Sequence, residues 1–235
     1  MTVLPPNDPA LQVPPAGWDK LLFDAYQIKK VLDVGSNLGG FIPSWLGNGA
    51  ELVHAIEPVP EVFAKLEQAF AGDPRVECHR LGVSDRLGKL SGVNVFNAWT
   101  LQENHAKTYH RAFDFVDTPP FDVDLFAISD LLWHWGFAPD FIKIDVDGYD
   151  VRALLGAREY IERRRPVLML EISYMPEVTL GDCYACEIRK LYELGYEITK
   201  MNGGIPLPTM KDFMRIFPWD TSFDVLCEPI GGVRP

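Results

Sequence analysis

The chain has 235 residues, 47% of them hydrophobic, and sets 22 Lys+Arg against 33 Asp+Glu for a net charge of −11. That length supports one sizeable core, and the acidic balance, with no basic run longer than Arg163-Arg164-Arg165, would repel a phosphate backbone over most of the surface. Nucleic acid is excluded as an expected partner. So is a membrane, because no uncharged apolar stretch approaches the roughly 18 residues of a span. The four cysteines, Cys78, Cys183, Cys186 and Cys227, form no disulfide framework, and the N-terminus lacks a signal peptide's charged start and apolar centre, so the expected location is the cytoplasm.

Residues 1–17 carry five prolines and read as an extended arm ahead of one domain over 18–235. Apolar positions from Trp18 to Ile28 predict a short helix. Val31 to Val34 is a buried strand running into Gly35-Ser36-Asn37-Leu38-Gly39-Gly40, a turn whose glycines let a ligand approach the backbone. Phe41 to Leu46 continues as a helix with Pro43 in its first turn. Leu52 to Ile56 is a second strand ending in Glu57, and Pro58 to Phe70 a helix with Val62, Phe63, Leu66 and Phe70 inward. Arg75 to Val83 and Lys89 to Phe96 read as extended pieces, the former ending in Ser84-Asp85.

From 97 to 124 the pattern loses its period and gains Trp99, His105, Tyr109, His110 and Phe113, as expected of an acceptor-side insertion. Ser129-Asp130 begins a short helix through Trp135. Phe141 to Asp145 and Val167 to Ile172 are further buried strands, separated by a helix that Asp150 caps. A helix from about Asp182 and strands at Tyr196 to Met201 and Phe223 to Cys227 complete an α/β chain built on a mostly parallel sheet.

The chemistry gathers where strands end. Glu57 follows the glycine turn by about 20 residues, the separation expected of an acid that hydrogen-bonds a ribose diol, so an adenosine-type cofactor is the first reading. The turn has Asn37 where a dinucleotide-binding turn has its middle glycine, and Asp33 stands two residues before it. A carboxylate there would repel a pyrophosphate and attract a cationic amino-acid tail, which favours a methyl donor over NAD. An NAD-dependent oxidoreductase and a catalytically inactive cofactor-binding protein remain the alternatives.

Several separated motifs, in order, resemble the FkbM-type S-adenosylmethionine-dependent methyltransferases: D-V-G-S-N-L-G at 33–39, A-I-E-P at 55–58, G-V-S-D at 82–85, S-D-L-L at 129–132, D-F-I-K-I-D-V-D-G-Y-D at 140–150 and R-P-V-L-M-L-E-I at 165–172. The resemblance covers about residues 29 to 200, and the family shows Glu where Asp147 and Asp150 stand. It implies a class I methyltransferase, Rossmann-like fold: a seven-stranded, mostly parallel sheet with helices on both faces and an antiparallel edge strand. The implied activity is O-methylation of a natural-product or sugar hydroxyl. In that reading Asp33, Gly35, Ser36, Asn37 and Gly39 surround the methionine part of S-adenosyl-L-methionine, Glu57 holds the ribose, and Ser84 with Asp85 lies near the adenine edge.

Asp145 and Glu171 each end an apolar run, and an acid there needs a cation, a donor or a proton. Three readings stay open: contact to cofactor or acceptor hydroxyl, ligation of Mg2+ with Asp147 completing the site, and an ion pair with Lys143. A base for the acceptor proton would be Asp145 or one of His134, His105 and His110. Cys183-Tyr-Ala-Cys186 lacks a second cysteine or histidine pair and reads as two ordinary helix cysteines.

Overall fold

The computed structural model describes residues 17–96, 100–102, 119–146, 148–173, 184–217 and 222–231. The proline-rich arm through residue 16, most of the 97–124 insertion with His105 and His110, and the residues Asp147, Cys183 and Trp219 lie outside that set.

Helix α1 (Trp18–Tyr26) stops at Gln27, whose left-handed φ of 51° turns the chain into β1 (Lys30–Val34). After α2 (Ile42–Gly47) come β2 (Leu52–Ile56), α3 (Pro60–Ala69) and β3 (Val76–His79). Proline stands in the first turn of both α2 and α3, where its missing N–H is no loss. Strands β4 (Gly82–Ser84), β5 (Gly88–Phe96), β6 (Thr100–Gln102) and β7 (Phe121–Ala127) follow, then α4 (Ile128–Trp135), β8 (Phe141–Ile144), α5 (Asp150–Arg164) and β9 (Val167–Ser173). The chain finishes with α6 (Tyr184–Glu193), β10 (Tyr196–Lys200), β11 (Ile205–Leu207), α7 (Met210–Ile216) and β12 (Ser222–Pro229).

The main sheet runs β11-β10-β12-β9-β8-β1-β2-β3. Pairs β1–β2, β1–β8, β2–β3 and β8–β9 are parallel, as helical crossovers require. Among the described residues this sheet has eight strands, where the family resemblance implies seven. β12 inserts antiparallel between β9 and β10, and β11 adds an antiparallel edge. A second sheet, β4-β7-β5-β6, occupies the stretch expected to be extended pieces and an insertion. Helix α5 packs on it so closely that a Cβ at Gly156 would stand 2.1 Å from the Ser84 carbonyl oxygen.

Side chains alternate across the central strands and bury on both sides. Val31, Val53, Phe141 and Met169 pack with Trp45 and Leu66 from α2 and α3, where Trp45 meets Phe141 edge to face at 5.7 Å. Leu32, Val34, Ile142, Ile144 and Leu170 pack on the other face with residues of α4, α5 and α6. On the first face the same alternation carries Asp33, Glu57, Lys143, Asp145 and Glu171 toward the carboxyl ends of adjacent strands, the crevice where open α/β sheets bind ligands. Among the described residues no helix is long and apolar enough to cross a membrane.

Candidate functional site

A cavity of about 420 Å³ opens at those strand ends. One wall is the turn after β1. Gly35 has φ +76°, and a Cβ there would stand 1.8 Å from the Asp145 carbonyl oxygen, so only glycine lets β1 and the loop after β8 approach so closely. Ser36 N–H and Gly35 N–H both donate to the Ile56 carbonyl, at 2.9 and 3.1 Å, and Ser36 Oγ donates to the Asp33 carbonyl at 2.8 Å. Asn37 takes a left-handed φ of 52° and lines the cavity, and its Oδ1 is buried without a hydrogen-bond donor among the described residues.

Glu57 ties this turn to the next. Its Oε2 accepts from Asn37 N–H at 3.0 Å and its Oε1 from Val59 N–H at 2.9 Å. Each oxygen keeps a lone pair for a further donor. Burial raises the carboxyl to about 7, against the lowering effect of the two backbone donors. Opposite lies an apolar wall: Val59 and Val62 from the α3 side, Leu81 and Val83 around β4, and Leu90 and Leu125 from the second sheet.

At the inner end stands Lys143, its side chain 3% exposed. Its Nζ lies 3.0 Å from Asp145 Oδ2 and 3.5 Å from Asp33 Oδ1, and donates to the Gly35 carbonyl at 3.2 Å. Burial works against the ammonium charge, but Asp33 and Asp145 outweigh it and raise the Lys143 pKa. The same burial raises Asp33. Asp145 and Lys143 line the cavity beside Phe41, over whose ring Nζ sits at 5.7 Å. Asp224, which registers with Glu171, is lifted to about 6 by burial and then by Asp145. Asp150 Oδ1 and Oδ2 accept from Val146 N–H and Gly148 N–H at 2.9 and 3.0 Å, folding the loop that carries Val146 and Tyr149 against the cavity.

Of the expected cofactor residues, Gly35, Ser36, Asn37 and Glu57 line this cavity. The others do different work. Asp33 is 1% exposed and lies beneath the floor against Lys143. Gly39 is a packing glycine, since a Cβ there would come within 2.4 Å of Phe70. Ser84 is buried with its Oγ donating to Asp85 Oδ1 at 3.1 Å, and Asp85 pairs with Arg86, so neither is among the cavity-lining residues. The cavity wall nearest that motif is instead apolar, formed around Leu81, Gly82 and Val83.

His134 sits in the last turn of α4, exposed and outside the cavity lining. This corrects its reading as a base: α4 leads into β8, so its final turn points back toward the amino ends of the strands. The Mg2+ reading fits poorly too. The Lys143 ammonium holds Asp145 Oδ2 where a dication would sit, and Asp145 and Glu171 belong to no described trio of converging ligand atoms. The ion-pair reading of Asp145 is the arrangement found. Cys186 is disulfide-bonded, while Cys78 and Cys227 are free thiols, so Cys186 is no ordinary helix cysteine.

Sequence reasoning missed Leu90, Leu125 and Phe41 as cavity walls and Asp224 beside Glu171. One signal for Leu125 was the apolar alternation of Phe121 to Ala127, which straddles the end of the 97–124 stretch read as an insertion.

An FkbM methyltransferase from Methylobacillus flagellatus KT is 20% identical, with 85% of this chain and 43% of that one covered and a TM-score of 0.52. The chain thus spans less than half of that structure's length. Aeropyrum pernix fibrillarin, solved with natively bound S-adenosyl-L-methionine, is 13% identical, covering 85% and 65% of the two chains at a TM-score of 0.42. A precorrin 8w decarboxylase from Methanobacterium thermoautotrophicum is 13% identical, covering 95% of each chain at a TM-score of 0.45. No curated protein matches the chain. The family described as the methyltransferase FkbM domain matches residues 33–198, more than half of the chain and the segment holding the turn, Glu57, Lys143 and Asp145, and the chain belongs to that family.

Proposed function

We propose that this protein transfers a methyl group from S-adenosyl-L-methionine to a hydroxyl oxygen of a small molecule or glycan. The observation that carries the reading is the pairing, in one cavity, of the amide-bound Glu57 carboxylate with Asn37, whose N–H it accepts and whose Oδ1 is buried without a donor among the described residues. The residues fit that cofactor. Glu57 has lone pairs left for a ribose diol, Asn37 Oδ1 offers an acceptor to an ammonium, and Leu81, Val83 and Leu125 offer apolar surface to a purine. When bound, the cofactor supplies an electrophilic methyl carbon on a sulfonium.

Gly35, Ser36, Asn37 and Glu57 would hold this donor, which would give its methyl group to an acceptor oxygen and depart as a neutral thioether. The hydroxyl proton passes to Asp145 or to water. Asp145 is suited to receive the hydroxyl because its side chain is 36% exposed while Lys143 fixes one of its oxygens. Lys143 acts as a positioning residue, and no step passes through a metal. Much of the rate in such a displacement comes from holding oxygen, carbon and sulfur in line.

Calorimetry with S-adenosylhomocysteine and NADH tests the donor, and label transfer from methyl-labelled S-adenosylmethionine across a panel of hydroxylated natural products and sugars tests the acceptor. Saturable S-adenosylhomocysteine binding with label recovered as a methyl ether is expected. Binding of NADH alone would favour the oxidoreductase, and cofactor binding with no transfer would favour the inactive protein.

A further inference from the structure

On the sheet face that carries Leu32 and Ile56, β2 and β3 bring three metal-ligating side chains together. His54 and Glu77 are direct cross-strand partners, and His79 follows Glu77 by two residues, so strand alternation puts all three on one face. One donor atom from each lies within 4.8 Å of the other two. We propose that His54, Glu77 and His79 bind a late first-row divalent cation, zinc being the first choice for two imidazoles and a carboxylate. This inference is independent of the methyl-transfer reading.

The two rings are held in place before any ion arrives. His54 stacks on Phe137 with centroids 3.9 Å apart and planes 17° from parallel, and His79 stacks on Trp135 at 4.2 Å and 18°. In that arrangement His54 Nδ1 and His79 Nε2 face each other at 3.0 Å. Tetrahedral zinc with bonds of about 2.0–2.1 Å sets two nitrogens about 3.3 Å apart, so an opening of a few tenths of an ångström admits the ion. An imidazole–imidazole hydrogen bond is the rival account of the 3.0 Å contact, and it requires one ring to keep a proton that the metal would displace.

Glu77 serves in either of two productive positions. Its Oε2 is 3.6 Å from His54 Nε2, placed to take that N–H and leave Nδ1 as the ligand. With a side chain 56% exposed it is also able to swing onto the ion, leaving a fourth position open to water. The bound ion would clamp the outermost strand β3 to β2, with His79 two residues before the Leu81–Val83 wall of the cavity.

The test uses the full chain, stripped with a chelator and titrated with zinc against a chromophoric competitor, and with cobalt(II) followed by visible absorption. One equivalent of zinc is expected, with a higher melting temperature and cobalt bands of a nitrogen/oxygen site. His54→Phe keeps the ring stack and should weaken binding at least about tenfold, as should Glu77→Gln. Cys78→Ser, on the other face of β3, should bind as the parent does. The melting transition of each metal-free variant reports folding separately. The proposal is overturned if the parent takes up no equivalent of zinc, if both His54→Phe and Glu77→Gln bind like the parent, or if Cys78→Ser abolishes binding.

Discussion

Replacing Glu57 by glutamine asks whether this carboxylate, as proposed, receives the ribose of the cofactor. The parent carboxylate accepts two backbone N–H groups at 2.9 and 3.0 Å and keeps lone pairs for two hydroxyls. Glutamine retains one acceptor oxygen and turns an NH2 toward one of those amides, so a charge-assisted bond to the diol is lost. A hydrogen bond to a charged group is worth about 1.5–3 kcal/mol, which predicts a loss of about 10- to 150-fold in affinity for S-adenosylhomocysteine. The pH dependence sharpens the test. Burial moves the carboxyl from an ordinary 4.5 to about 7, so Glu57 favours the folded apo protein fully below pH 4.5, and that contribution, about 3 kcal/mol, is lost as pH rises through 7. Hydroxyl donors favour the ionised form, so ligand binding should release a proton, and affinity should climb toward pH 7 and then level off. Calorimetry in two buffers of different ionisation enthalpy measures both affinity and proton release. Unchanged affinity in Glu57→Gln, or the same proton release as the parent, would refute the ribose assignment.

Two further substitutions probe the site. Lys143→Met removes the cation between Asp33 and Asp145 and leaves a carboxylate that is 1% exposed without its charge partner, which should cost about 3–5 kcal/mol in urea unfolding; a loss below about 1 kcal/mol would show that Lys143 is not what holds the two acids. His134→Ala should leave kcat/KM unchanged because the side chain is exposed at the far end of α4. A tenfold drop would return His134 to the list of bases.

What the sequence determined is local and periodic. The apolar runs at 31–34, 52–56, 141–144 and 167–172 specify doubly covered strands because their length and β-branching suit little else. Gly35 before a helix marks the close approach, and the carboxylate at Glu57 is visible from spacing alone. Those features depend on neighbours within a few residues or on one strand-to-strand step.

Only the tertiary structure decided which strand-end groups share the crevice and what they do there. Asp33 and Asp145 are both acids at strand ends, but register against Lys143 buries the first beneath the floor and leaves the second on the cavity. Gly39 resembles a ligand-contacting glycine until α3 folds over it and brings Phe70 against its Cα. Ser84 and Asp85 sit in a motif whose resemblance implies the adenine edge, yet neither lines the cavity, whose wall there is Leu81 and Val83 with Leu125 from a sheet the periodicity did not reveal. The physical reason is common to all of these. A strand's pattern says that its residues alternate between faces, while which face meets which partner is set by crossovers and register between segments distant in the chain.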